Sequence, residues 1–104
     1  MNKIENYLIF AHYHSKGLVR KDILSFLQKG EKFFNKIIFV STKINKKEIK
    51  KIPKKNKIIT RKNEGYDFCS YKKGWEYLSK KFGNNLTNKN LFFANVSVVA
   101  IPVI

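Results

Sequence analysis

The chain has 104 residues, with 22 Lys and Arg against 7 Asp and Glu and a formal net charge of +15. At 43% hydrophobic and 14% aromatic residues it is too apolar for a disordered basic tail, and long enough to build one small core as a single domain or part of one. No apolar run approaches the roughly 18 residues of a membrane-spanning helix, the N-terminus offers no secretory cleavage site, and the single cysteine, Cys69, excludes a disulfide framework or a zinc ribbon; a reducing, cytoplasmic setting is the expectation.

In chain order, Tyr7–Ala11 is a continuous apolar run of strand length. Val19, Ile23, Phe26 and Leu27 then share one helical face, with Gly30 as the expected stop. Ile37–Val40 is a second strand, rich in β-branched residues. Asn45 is placed to cap a short helix with Glu48 as its reciprocal partner, Ile49 and Ile52 as the buried side and Pro53 as the end. Ile58–Thr60 is a third strand. Tyr71, Trp75, Leu78 and Phe82 then recur at spacings of four, three and four, the clearest amphipathic helix, ended by Gly83. Residues 83–88 read as a loop, and Leu91–Ala94 as a fourth strand.

The order is β-α-β-α-β-α-β. Continuous apolar strands joined by long crossovers predict an α/β fold with a mostly parallel sheet and helices on both faces. In such sheets ligands sit beyond the carboxyl ends of the strands. That rule selects the loops His12–Gly17, Asn63–Ser70 and Asn95–Ser97. After Asn95 the chain is apolar apart from Ser97, and reads as an extra strand or, the favoured expectation, as an N-terminal fragment of a longer domain.

No Gly-x-Gly-x-x-Gly and no Walker loop is present. The most informative segment runs from Arg61 to Gly74. Gly65 permits a tight turn or close approach to a ligand, Asp67 can cap the helix or face that ligand, and amides at the helix start can receive a phosphate or sugar hydroxyl. The plainer alternative is a turn and a cap. His12 and His14 flank Tyr13 after the first strand; with no third ligand evident, no metal site is expected, and contact with an anionic ligand competes with a pair of loop histidines. Cys69 is expected to pack as a small apolar residue near the helix start.

Nearly all the positive charge is lysine; only Arg20 and Arg61 are arginines. Together with abundant Asn and Ile this matches the drift of an A+T-rich genome, and the run of lysines from Lys46 to Lys57 reads as a solvated face. Its functional alternative is a non-enzymatic basic module that binds nucleic acid or an anionic glycan.

Several of these pieces together resemble the rhamnan synthesis protein F family. They are the first strand followed by Ala11-His12-Tyr13 and Gly17, then Phe39-Val40-Ser41-Thr42. Most specific is Arg61-x-Asn63-x-Gly65-Tyr66-Asp67-Phe68, continuing through Ser70-Tyr71-Lys72-x-Gly74. The resemblance covers nearly the whole chain. It implies a GT-A-like glycosyltransferase of bacterial surface-polysaccharide synthesis, with a nucleoside diphosphate sugar as donor (dTDP-rhamnose among the candidates) and a growing glycan as acceptor. It also implies Mg²⁺ or Mn²⁺ at the leaving diphosphate. His12, Tyr13, Asn63, Gly65, Tyr66, Asp67, Asn95 and Ser97 would be the donor-side residues. No specific nucleic acid is expected as a partner; peripheral contact with the inner face of the membrane is compatible with the resemblance.

The sequence departs from the family pattern after the fourth strand. The family reads Asn-Asp-Ser and then a turn with Gly-Pro; here Asn95-Val96-Ser97 carries valine at the acidic position, and the Gly before Pro102 is missing. A valine can neither coordinate a cation nor accept a proton. The expectation is therefore a truncated copy, inactive alone.

Overall fold

The computed structural model describes residues 4–62, 66–83 and 89–96, with the side chains of Tyr66 and Asp67 excepted. Its elements are β1 (Glu5–His12), α1 (Lys21–Phe33), β2 (Lys36–Ser41), α2 (Lys46–Ile49), β3 (Lys57–Thr60), α3 (Tyr66–Phe82) and β4 (Lys89–Asn95). The strands form one sheet in the order β3-β2-β1-β4. Every pairing is parallel: Tyr7 lies opposite Lys36 and Leu91, and Ile38 opposite Lys57. The expected α/β fold and its element order are both present.

The central strand β1 explains its own composition. Leu8 and Phe10 face a core shared with Ile37 and Phe39 of β2, Ile23 and Leu27 of α1, and Ile52 beyond α2. Tyr7 and Ile9 face the opposite core, with Ile38, Val40 and Leu78 of α3. A strand buried on both faces needs apolar residues at consecutive positions rather than alternate ones. Each such side chain taken from water contributes about 1.5–3 kcal/mol. The Phe10 and Phe39 rings stack with centroids 5.6 Å apart.

The helices divide between the faces because the direction of winding reverses. Crossovers through α1 and α2 step from β1 to β2 to β3. The crossover through α3 returns past β2 and β1 to β4. Right-handed crossovers in opposite directions put their helices on opposite faces.

Three local expectations are corrected. Gly30 does not stop α1, which runs on to Phe33, where the Phe34 N–H closes it on the Gly30 carbonyl at 2.7 Å. Gly30 is instead a buried contact point; a Cβ there would lie 3.3 Å from the Phe34 ring and 3.4 Å from Ile37. Nor do Asn45 and Glu48 form a capping box: the Asn45 side chain makes no cap bond, and Nδ2 donates to the Lys16 carbonyl at 3.0 Å. Glu48 is buried and reaches the Val19 amide. Finally, Trp75 is 44% exposed while Leu78 is fully buried. The seam of α3 runs through Gly74 instead, whose missing side chain lets the helix close on the sheet; a Cβ there would stand 2.5 Å from Cγ2 of Ile9. That close approach leaves Trp75 at the rim of the contact.

Candidate functional site

Strand order reverses between β1 and β4, so the switch point of the sheet lies between their carboxyl ends. Ala11 pairs with Asn95 there, which places the loop after His12 beside the segment after Asn95. The chain around this crevice is fixed by side chains that cross between elements.

His12 ends β1 and is 1% exposed. Its Nε2 lies 3.1 Å from the Leu18 carbonyl, and its Nδ1 lies 2.8 Å from Ser41 Oγ at the end of β2. A carbonyl only accepts, so Nε2 carries the proton and Nδ1 accepts from the Ser41 hydroxyl. Ser41 Oγ in turn accepts the Lys43 amide at 3.2 Å. Burial, more than any neighbouring charge, holds the His12 pKa below its ordinary value and the ring neutral. Both ring nitrogens are occupied, so His12 acts by holding the loop rather than by meeting a ligand.

The loop that follows is stapled in the same way. The Gly17 amide donates to the His14 carbonyl at 2.9 Å, and the Lys16 amide to His14 Nδ1 at 3.0 Å. Gly17 takes a left-handed conformation, φ +71°, with its carbonyl accepting the Asn45 amide at 2.8 Å. A Cβ at Gly17 would lie 2.5 Å from Asn45 Oδ1. His12 and His14 are thus engaged separately. Tyr13 between them is 45% exposed, the exposed aromatic of this loop, with Ser15 and Lys16 also open to solvent.

Two further ties shape the rim. Glu48 Oε1 accepts the Val19 amide at 2.9 Å while Oε2 pairs with Lys51 at 2.6 Å; the Lys51 bond, then the Val19 bond, hold its carboxyl below the usual range. Arg20 grips Asp22 through two bonds of 3.0 and 2.9 Å and reaches across to the Val96 carbonyl at 3.1 Å. The Arg20 guanidinium is the main reason the Asp22 pKa is lowered.

The third loop begins after β3. The Arg61 amide donates to the Ser41 carbonyl at 2.9 Å, Nε to Ser70 Oγ at 2.8 Å, and Nη1 to the Lys62 carbonyl at 2.8 Å. Ser70 is 2% exposed. Arg61 therefore fixes the first turns of α3 to the end of β3. Asn63 and Gly65 lie outside the described residues, as does Ser97. Tyr66 and Asp67 fall in the first turn of α3.

Sequence reasoning named Arg61 and Ser70 only as parts of a motif, and passed over the Ser41–His12 and Glu48–Val19 bonds. The available signal was a polar residue closing each apolar strand: His12 after Ala11, Ser41 after Val40.

Among the described residues, the end of β4 offers no acid for the divalent ion that the resemblance implies. At the end of β4 the half-buried Asn95 precedes Val96, whose side chain packs against the α1-side core. Among the described residues, no three His, Cys, Asp or Glu side chains come together as a metal site. No described helix is long and apolar enough to cross a membrane. No protein-family model, curated protein or solved structure matches the chain.

Proposed function

We propose that the crevice between the carboxyl ends of β1 and β4 is the donor side of a glycosyltransferase-like protein of bacterial surface-polysaccharide synthesis, and that it takes a nucleoside diphosphate sugar. The observation that carries this reading is the sheet order β3-β2-β1-β4. It locates the switch point at Tyr13 and Asn95, with the start of α3 anchored at the same end of the sheet. These are positions at which the chain resembles the rhamnan synthesis protein F family. Exposed Tyr13 offers a ring to the base or sugar, Asn95 an amide to a hydroxyl, and the amides opening α3 a site for phosphate oxygens. Asp67 is the acid that the resemblance assigns to a donor hydroxyl. With Val96 in place of an acid, the chain is expected to bind donor without transferring the sugar.

The test is a thermal melt of the chain with a panel of nucleoside diphosphates and their sugars, with and without Mn²⁺. A ligand that binds the native state raises the melting temperature. One base should raise it saturably, and Tyr13→Ala and Asp67→Ala should each remove the effect. A cooperative melt that no nucleotide moves would overturn the reading.

The second reading, a basic module for nucleic acid or an anionic glycan, draws on seven exposed lysines: 46, 47, 50, 51, 54, 55 and 57. It requires binding that falls steeply with salt and survives Asp67→Ala.

A further inference from the structure

The amino-terminal end of the sheet, opposite the crevice, carries a cation surplus around a cavity of about 270 Å³. Lys32 at the end of α1, Lys36 at the start of β2 and Lys55 before β3 line it, against one acid, Glu31. No described acid forms an ion pair with any of these three lysines. On the other face of the sheet, against α3, the Lys36 ammonium meets further cations. The Lys36, Lys81 and Lys89 ammonium groups lie 5.9, 5.8 and 5.8 Å from the Phe82 ring centre, and those of Lys57 and Lys81 lie 5.4 and 5.9 Å from the Tyr77 ring. Of these only Lys89 has a carboxylate, that of Glu5.

A second observation is independent of charge. Asn56 also lines the cavity, is 8% exposed, and has neither Oδ1 nor Nδ2 hydrogen-bonded. A buried amide with no partner is costly and rare in a folded chain. Its backbone is fixed by a turn in which the Asn56 amide donates to the Pro53 carbonyl at 3.0 Å. Only the side chain is without a bond, and it lines the cavity.

We propose that this cavity binds a phosphomonoester dianion, with Lys32 and Lys55 pairing its oxygens and Asn56 turning Nδ2–H onto it. A doubly charged tetrahedral oxyanion compensates several ammonium groups at once and accepts several hydrogen bonds. The proposal is independent of the donor crevice, which lies at the other end of the strands.

The experiment is a melt and an amide NMR titration of the full chain at fixed ionic strength. The probes are inorganic phosphate, glucose 1-phosphate and, as control, chloride. Lipid vesicles with and without phosphatidic acid form a separate arm. Phosphate or glucose 1-phosphate should stabilise saturably and move the amides of residues 32–36 and 55–57. Lys32→Ala with Lys55→Ala should weaken binding about tenfold or more, the scale of losing charged hydrogen bonds. Asn56→Leu, which removes the orphan amide, should fold at least as stably and bind more weakly. Lys21→Ala with Lys73→Ala, exposed lysines of α1 and α3 outside the cavity lining, should change nothing. Response to phosphatidic acid alone would assign the dianion to a lipid headgroup, and response to glucose 1-phosphate to a soluble ester. Phosphate acting no better than chloride would overturn the proposal, as would equal losses from the Lys21 and Lys73 pair or unchanged binding by Asn56→Leu.

Discussion

The two ends of this small sheet are built differently. At the carboxyl ends, His12, Ser41, Glu48 and Arg61 each bond to a backbone or side-chain group of another element. At the amino ends the Asn6 amide donates to Asn35 Oδ1 at 2.8 Å and the Asn35 amide to the Asn6 carbonyl at 2.7 Å, but beside this tie Lys36, Lys57 and Lys81 gather over two aromatic rings, and the Asn56 side chain has no partner. One polar atom departs from the pattern at the carboxyl end, Thr42 Oγ1, which is buried without a bond. The contrast teaches what each end is suited for. Loops stapled to neighbouring strands hold exposed groups such as Tyr13 in place, whereas uncompensated like charges leave an end that gains from an anion.

The strongest test of the comparison is to break what both ends share. Phe39 is fully buried, stacks on Phe10 and lies 5.0 Å from the His12 ring. Phe39→Ala should cost about 3–5 kcal/mol by urea denaturation, with both ends lost in one transition. Separate transitions would mean that the ends are independent units.

Next come changes confined to the carboxyl end. Gly17→Ala forces a Cβ onto a left-handed residue and into Asn45, and should cost about 1–3 kcal/mol. Adding Asn45→Ala should recover only the clash; full recovery would show that the backbone conformation costs nothing. Ser41→Ala leaves His12 Nδ1 buried without a donor, at about 1–3 kcal/mol, and should speed exchange of the Lys43 amide.

A pH profile separates the same end by titration. The folded His12 pKa lies below its ordinary 6.5, so the unfolded chain binds the proton first. Its contribution is therefore full above pH 6.5 and lost as pH falls through the lowered value. The carboxyls of Glu48, Asp22 and Glu5, all lowered, lose theirs only below the ordinary carboxylate range. His12→Phe should melt lower overall yet more evenly between pH 7 and 5.5. An unchanged slope would place the acid sensitivity elsewhere.

The smallest effect belongs to the amino end. Lys81→Gln removes the main cause of the depressed Lys36 pKa, which should climb from about 8 toward 10.5 in an NMR titration of the lysine side chains. The melting temperature should rise slightly, and only at low salt. A fall would mean that Lys81 stabilises this end.

Most of the framework was legible in the sequence, because β1 and β2 need apolar residues on both faces and their runs stand out. What stayed hidden depends on distant partners. Glu48 sits at capping-box spacing from Asn45, yet the Val19 amide, 29 residues away, takes its carboxylate. Trp75 fits the helical stripe, but Gly74 sets how closely α3 meets Ile9, and spacing cannot reveal that approach. At the candidate site, the strand-end rule found Tyr13 and Asn95. It did not show that His12 turns inward, because the Ser41 hydroxyl and Leu18 carbonyl that hold it come from other parts of the chain. Of the lysines at the amino end only Lys55 and Lys57 stand out in the sequence, as part of a solvated run, because the others are scattered along the sequence and meet only when four parallel strands align.

The most direct measurement is an amide NMR titration of the chain with dTDP-rhamnose, alone and with excess glucose 1-phosphate. The account predicts saturable shifts at Tyr13–Gly17, around Asn95 and in the first turns of α3, persisting when glucose 1-phosphate is in excess. Shifts confined to residues 32–36 and 55–57, or abolished by that competitor, would contradict a donor site at the switch point.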